Sequence, residues 1–278
     1  MTTSAARRAR NRAGHRPARQ PAGSPALRGL ARAGLVARGV VYLLIGWLAA
    51  RIAFGNSRQQ ADSTGALHAV AGTPLGNVLL WLLAAGFAGL AVWRLAEAAA
   101  GSGTGRRLQA LGLGVLYAVV AYGTLKYALG LGAPQSSNKQ AVDLTATAMQ
   151  HAGGKPVVII IGFALIAGGL YLIWSAVQHT FLRSLDTRRM TARTRKAVEW
   201  LGIAGGVARG VVFGTAGIFL VIAAVRSQPG QAKGVDSALR ALAATPFGPW
   251  VLMLVAIGLI MFGAYSCCEA RWFRATGR

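Results

Sequence analysis

Acidic residues are nearly missing from this sequence. Seven Asp and Glu stand against thirty Lys and Arg in 278 residues, a formal net charge of +23. Charged residues of either sign make up only 13%, where an ordinary soluble domain carries about 25%. So few charges cannot cover a globule of this length with polar surface. That excludes a typical cytosolic enzyme and favours a membrane protein. Cysteine is scarce too. Cys267 and Cys268 are the only two and they are adjacent, which excludes a disulfide scaffold. The four histidines, His15, His68, His151 and His179, have no metal-ligand spacing. No His-Glu-x-x-His, Gly-x-Ser-x-Gly or P-loop occurs. The chain is therefore read as a non-enzyme with no catalytic residues, no metal and no cofactor.

Long apolar runs are abundant: 54% of residues are hydrophobic. Six segments, at 34–54, 75–97, 110–132, 156–178, 202–226 and 247–269, are each long enough to cross a hydrocarbon core of roughly 30 Å as a helix. Lipid offers the backbone no hydrogen bonds, so helices are expected throughout. Residues 1–33 differ. They carry Arg7, Arg8, Arg10, Arg12, Arg16, Arg19, Arg28 and Arg32, punctuated by Pro17, Pro21 and Pro25, without apolar periodicity. They read as a disordered basic tail that binds anionic lipids.

The basic excess could equally signal nucleic acid, and its distribution decides. Outside the spans, nineteen Lys and Arg fall on the side of the termini and five on the other. This is the positive-inside pattern of a multi-pass plasma-membrane protein with both termini cytoplasmic. It leaves no need for a specific nucleic-acid partner. Abundant Ala, Gly and Arg fit a GC-rich bacterial genome.

The chain repeats itself. Ala37-Arg-Gly-Val-Val-Tyr42 returns as Ala208-Arg-Gly-Val-Val-Phe213. Ala66-Leu-His-Ala-Val-Ala-Gly-Thr-Pro-Leu-Gly76 returns as Ala238-Leu-Arg-Ala-Leu-Ala-Ala-Thr-Pro-Phe-Gly248. A worn middle copy keeps Gly114-Val-Leu-Tyr117 and Pro156. The copies lie at 34–99, 108–180 and 201–271, each a helix, an outer loop and a helix. An even number of spans makes all three point the same way, so a pseudo-threefold bundle is expected. Together with Trp93-Arg-Leu-Ala-Glu97, these motifs resemble a bacterial membrane family catalogued as domain of unknown function 1206. The resemblance implies six spans in a bacterial plasma membrane. It implies no activity and supplies no site residues.

Charges beside the spans are the functional candidates. Arg38 and Arg209 open spans one and five, while Glu97 and Glu269 close spans two and six. In the middle copy Leu113 replaces the arginine and Gln178, with a one-residue gap, the glutamate. One reading is a clasp within each hairpin, Arg38 with Glu97 and Arg209 with Glu269. The other is that the arginines reach lipid phosphates and Glu97 pairs with Arg94. On the outer side, Arg51 and Lys126 match in position, and each loop carries one aspartate, Asp62, Asp143 and Asp236. Asp62 and Asp236 read as helix N-caps. Alternatively, all five groups converge on the axis as an entrance for a small solute or ion. Thr73-Pro74 and Thr245-Pro246 are expected to start spans two and six, with threonine as cap. Gly202, Gly206, Gly210 and Gly214 recur every four residues and form a face for close helix packing, within the chain or with a second protomer. Two functions compete: a structural or partner-binding membrane protein, or a small channel or transporter with a polar site on the axis.

Overall fold

A computed structural model describes residues 25–55, 60–100, 103–132, 135–151, 153–185 and 190–272. Nine α-helices run through the described residues: α1 Pro25–Ala53, α2 Ser63–Ala71, α3 Gly76–Ala100, α4 Thr104–Ala128, α5 Ser137–Met149, α6 Gly154–Val177, α7 Ala192–Val225, α8 Val235–Ala243 and α9 Gly248–Trp272. Six of them, α1, α3, α4, α6, α7 and α9, are long and apolar enough to cross a membrane. The three short helices, α2, α5 and α8, lie in the loops between the paired spans. They define one side of the molecule, here the short-helix side. The N-terminal end of α1 and the C-terminal end of α9 define the terminal side.

Most of the expected tail, residues 1–24, lies outside the described residues. The remainder of it is helix: α1 opens at Pro25, nine residues before the expected span. Proline suits the first turn of a helix because its missing N–H would find no partner there. Ala31 and Leu35, one turn apart, are 0% and 2% exposed, so packing extends the helix beyond the apolar run. Helix α7 likewise starts ten residues before its expected span. Thr191 caps it through Oγ1, which accepts from the Thr194 amide, and Val198 is buried below. The Thr-Pro pairs do not cap α3 and α9. Thr73 and Thr245 donate back to the carbonyls of Val70 and Leu242 at the ends of α2 and α8. The long helices start only at Gly76 and Gly248.

The six long helices form a ring in chain order, α1, α3, α4, α6, α7, α9 and back to α1. The most extensive packing joins the last helix of each repeat to the first helix of the next: α3 on α4, α6 on α7 and α9 on α1. Within the first and third repeats the two long helices also pack, α1 on α3 and α7 on α9. In the middle repeat they do not: α4 and α6 share no packed face. The pseudo-threefold ring is thus open at one seam. The most hydrophobic window of α4 is 22% buried and that of α6 is 17%, against 50% for α1, α3 and α9.

Glycines record both the symmetry and the break. A methyl group on Gly39 would meet Cys267 Sγ and the Gly263 carbonyl, one on Gly114 would meet Leu95, and one on Gly210 would meet Ile173 and the Gly169 carbonyl. These are three equivalent inter-repeat contacts. Within repeats, Gly86 abuts Ala37 and Gly258 abuts Ala208. The residue of α4 matching Ala37 and Ala208 is Gly112, which has nothing within 4 Å of where its Cβ would sit.

Candidate functional site

The terminal-side half of the ring gathers the charges, but the clasps across each hairpin are not what forms. Arg38 pairs with Glu269 of the third repeat: Nη2 lies 2.5 Å from Oε2 and Nε donates to Ser266 Oγ at 3.2 Å. Both side chains are 12% exposed. Glu97 accepts instead from Arg94 Nη1 at 2.9 Å, one turn back on its own helix. Arg209 makes no salt bridge among the described residues. Its guanidinium lies 4.3 Å from the centroid of Phe262 and 5.5 Å from that of Tyr42. Its Nε is buried and has no hydrogen-bond partner.

One physical reason covers all three outcomes. The tight seams run from the last helix of one repeat to the first helix of the next, so a glutamate at the end of a repeat meets the arginine position of its successor. Glu269 therefore meets Arg38. Glu97 faces α4, where the arginine position holds Leu113, and it turns back to Arg94. Arg209 faces α6. The equivalence of Cys267 with Ile173 at their glycine contacts puts Ser175, not Gln178, at the glutamate position there. Ser175 Oγ is already bonded to Thr180 Oγ1. Arg209 is left to the aromatic rings, each cation–π contact contributing about 0.5–2 kcal/mol.

Tyr117 of α4 completes the group. Its ring stacks on Phe87, with centroids 6.3 Å apart, and its hydroxyl lies in the field of the Arg38 guanidinium. Tyr42 packs edge-on against Phe262 at 4.7 Å. Arg38 and Arg209 thus share the Phe262 ring, with Glu269 on Arg38 and Glu97 on Arg94. Phe262 and Ser266 carry no sequence motif and enter the group through the packing of α9 on α1, whereas Tyr117 ends the motif kept in the middle copy.

The outer polar residues do not converge into an entrance. Arg51 lies over the Trp47 ring and Lys126 over the Tyr122 ring, each on its own helix. Asp143 is exposed and accepts from the Gln135 side-chain amide. Asp62 and Asp236 are 0% and 7% exposed. Asp62 does cap α2: Oδ1 accepts from the Gly65 amide. Its Oδ2 accepts from both the amide and the hydroxyl of Ser137 in the middle repeat. Asp236 is not a cap, since Gly234 holds that position in α8. Asp236 sits in the first turn of α8, accepting from the Ala61 amide at 2.8 Å and from Arg240 Nε.

A cyclic tie runs through these bonds. Two residues beyond each cap, a polar side chain reaches the backbone that leads into the next repeat's short helix. Thr64 donates to the Gln135 carbonyl, Asn138 accepts from the Gly234 amide, and Asp236 accepts from the Ala61 amide. The repeats are joined first to second, second to third and third to first. A shared offset from Asp62, Ser136 and Gly234 was the available sequence signal, and the worn middle copy hides it.

The glycine stripe of α7 packs inside the chain. Gly206 abuts Ala176, Gly210 abuts Gly169 and Ile173, and Gly202 abuts the Phe181 ring. A methyl group on Gly169 would sit 2.9 Å from the Gly214 nitrogen, although Gly214 itself faces open space.

This is an all-α membrane protein of three tandem two-helix repeats, with six transmembrane helices arranged about a pseudo-threefold axis. The chain belongs to the family described as Domain of Unknown Function (DUF1206), whose model matches three times, at 33–101, 108–179 and 204–272. It is similar to the "Uncharacterized protein YxxB" of Bacillus subtilis (strain 168), with 29% identity over 250 residues covering 87% of this chain and 90% of the relative. No solved structure matches.

Proposed function

We propose that this is a non-enzymatic, multi-pass bacterial plasma-membrane protein that acts by binding within the bilayer, as a structural or partner-binding component, rather than by conducting a solute. The observation that carries the reading is the filled interior. From Arg38 towards the short-helix side, Val41, Ile45 and Leu48 of α1 are buried; from Glu269 in the same direction, Phe262, Leu259, Val255 and Leu252 of α9 are buried; and Val212 of α7 joins them. Residues of α1, α2, α3, α4, α7, α8 and α9 meet in one contiguous apolar cluster. Among the described residues the buried polar side chain at this level, Thr124, donates to the Val120 carbonyl of its own helix, so the arginine group lacks the polar continuation towards the short-helix side that a conduction path needs.

The charge distribution supports cytoplasmic termini, with the terminal side facing the cytoplasm. The basic residues 1–33 would then lie where anionic headgroups can attract them, each contributing about 1 kcal/mol near such a surface. Ion and small-solute flux into liposomes holding the purified full chain tests the reading. The expected result is the permeability of protein-free liposomes. Saturable flux that depends on the protein would overturn it in favour of a transporter.

A further inference from the structure

We propose that the open seam between α4 and α6 is the binding site of an anionic phospholipid, with Arg209 and Tyr117 taking its phosphate. The inference rests on the reading of the protein as a binder within the bilayer. It begins from what fills this position in the other two repeats. Leu90 presses on Gly34 in the first repeat, and Phe262 presses on Gly205 in the third. Their counterpart in the middle repeat, by the register of Gly263 with Gly169, is Gly168, which has nothing within 4 Å of where a Cβ would lie. Across the seam, Gly112 is equally bare. The middle repeat thus lacks, on both walls, the side chains that close its neighbours. The missing volume is that of a leucine or phenylalanine side chain, which suits an acyl chain.

The depth of the gap matches the charges. Gly112 precedes Leu113, the counterpart of Arg38 and Arg209, and Tyr117 lies about one helical turn beyond it. Of Arg38, Arg94 and Arg209, the last is the one without an acid among the described residues: Glu269 is taken by Arg38 and Glu97 by Arg94. Its Nε is buried without a partner. A half-buried arginine whose Nε has no acceptor and whose guanidinium lies over aromatic rings is poorly compensated, and a phosphodiester would supply the missing acceptor with paired, charge-assisted hydrogen bonds. The level is right for a headgroup. Glu269, which meets the arginine position of the first repeat, is three residues from the end of α9 at Trp272, roughly 4.5 Å by helix rise. Free inorganic phosphate shares the headgroup's chemistry but has no use for the apolar seam.

The full-length protein in nanodiscs of phosphatidylcholine, doped with a trace of phosphatidylglycerol bearing a photoreactive acyl chain, tests this. A phosphatidylcholine probe with the same acyl chain is the reference. Cross-linked peptides are then mapped. The phosphatidylglycerol probe is expected to label α4 around Leu113–Tyr122 and α6 around Leu165–Leu172 about fivefold more than the reference, with no such preference on α3 or α9. Arg209→Gln should equalise the two probes. Gly168→Leu should reduce labelling of both at the seam, and it leaves every charge in place should Arg209→Gln fail to fold. Equal labelling by both probes in the unaltered chain, or a preference surviving both substitutions, would overturn the site. Loss of the preference on adding inorganic phosphate would make the occupant a free anion, and cross-links to a second copy through α4 and α6 would make it a protomer; either overturns the lipid. A chain that conducts nothing and shows no lipid preference would refute this site and leave the binding reading standing.

Discussion

At the scale of single residues, the Arg38 pair separates two ways of joining the repeats. Both partners are largely buried, and removing one leaves the other charge uncompensated. Glu269→Ala should therefore lower the stability of the detergent-solubilised protein by about 3 kcal/mol. The double variant carrying Arg38→Glu and Glu269→Arg should recover much of that loss on thermal unfolding. The same exchange between Arg38 and Glu97 should recover nothing, and recovery there would restore the hairpin clasp. Asp62 is the second residue to probe. Its carboxylate accepts three hydrogen bonds and joins two repeats. Asp62→Ala should cost about 3 kcal/mol, and Asp62→Asn less, because an amide keeps one acceptor. Asp143→Ala, at an exposed position, should change the unfolding temperature little. The sequence named all of these residues and one partner, Arg94 for Glu97, but not the pairing of Arg38 with Glu269 or of Asp62 with Ser137. A carboxylate and an arginine at the ends of one hairpin look like a pair until the packing order of the helices is known.

At the scale of elements, the positions of the long helices were legible because a bilayer demands about twenty apolar residues in a row. Their true starts were not. Helices α1 and α7 reach nine and ten residues further towards their N-termini, where few residues, Ala31 and Val198 among them, are buried. The short helix α5 went unread: only Thr145 of its residues is buried, so it has little hydrophobic periodicity to see. The glycine stripe of α7 was visible, and its partner α6 was not, because close approach is written on one helix and satisfied by another. That contact predicts a contrast. Gly210→Ala places a methyl 2.6 Å from the Gly169 carbonyl oxygen and should destabilise the protein by a few kcal/mol, as overpacking does. Gly112→Ala meets nothing and should be neutral or stabilising by up to about 1 kcal/mol through helix propensity. Chemical denaturation of the two variants side by side checks this, and equal destabilisation would contradict the seam.

At the scale of the whole molecule, the repeats explain the ring and the wear of the middle copy explains its opening. Three copies pointing the same way can close a ring only if each contributes the same contacts. The short-helix side achieves this with the tie through Thr64, Asn138 and Asp236. Deeper in, the middle copy has lost the arginine, the glutamate and the residue that fills the wedge, and α4 and α6 stand apart. The sequence displayed these losses as poor similarity. Poor similarity alone does not imply an opening, since a worn repeat can equally be a repacked one. Single cysteines measure the opening directly, in a chain whose Cys267 and Cys268 are replaced by serine. Ala37 and Ala208, each 5% exposed, pack on Gly86 and Gly258, and their counterpart in α4 is the exposed Gly112. In the membrane, N-ethylmaleimide should modify Gly112→Cys much faster than Ala37→Cys or Ala208→Cys. Equally slow modification of all three would mean a closed ring and would contradict the open seam.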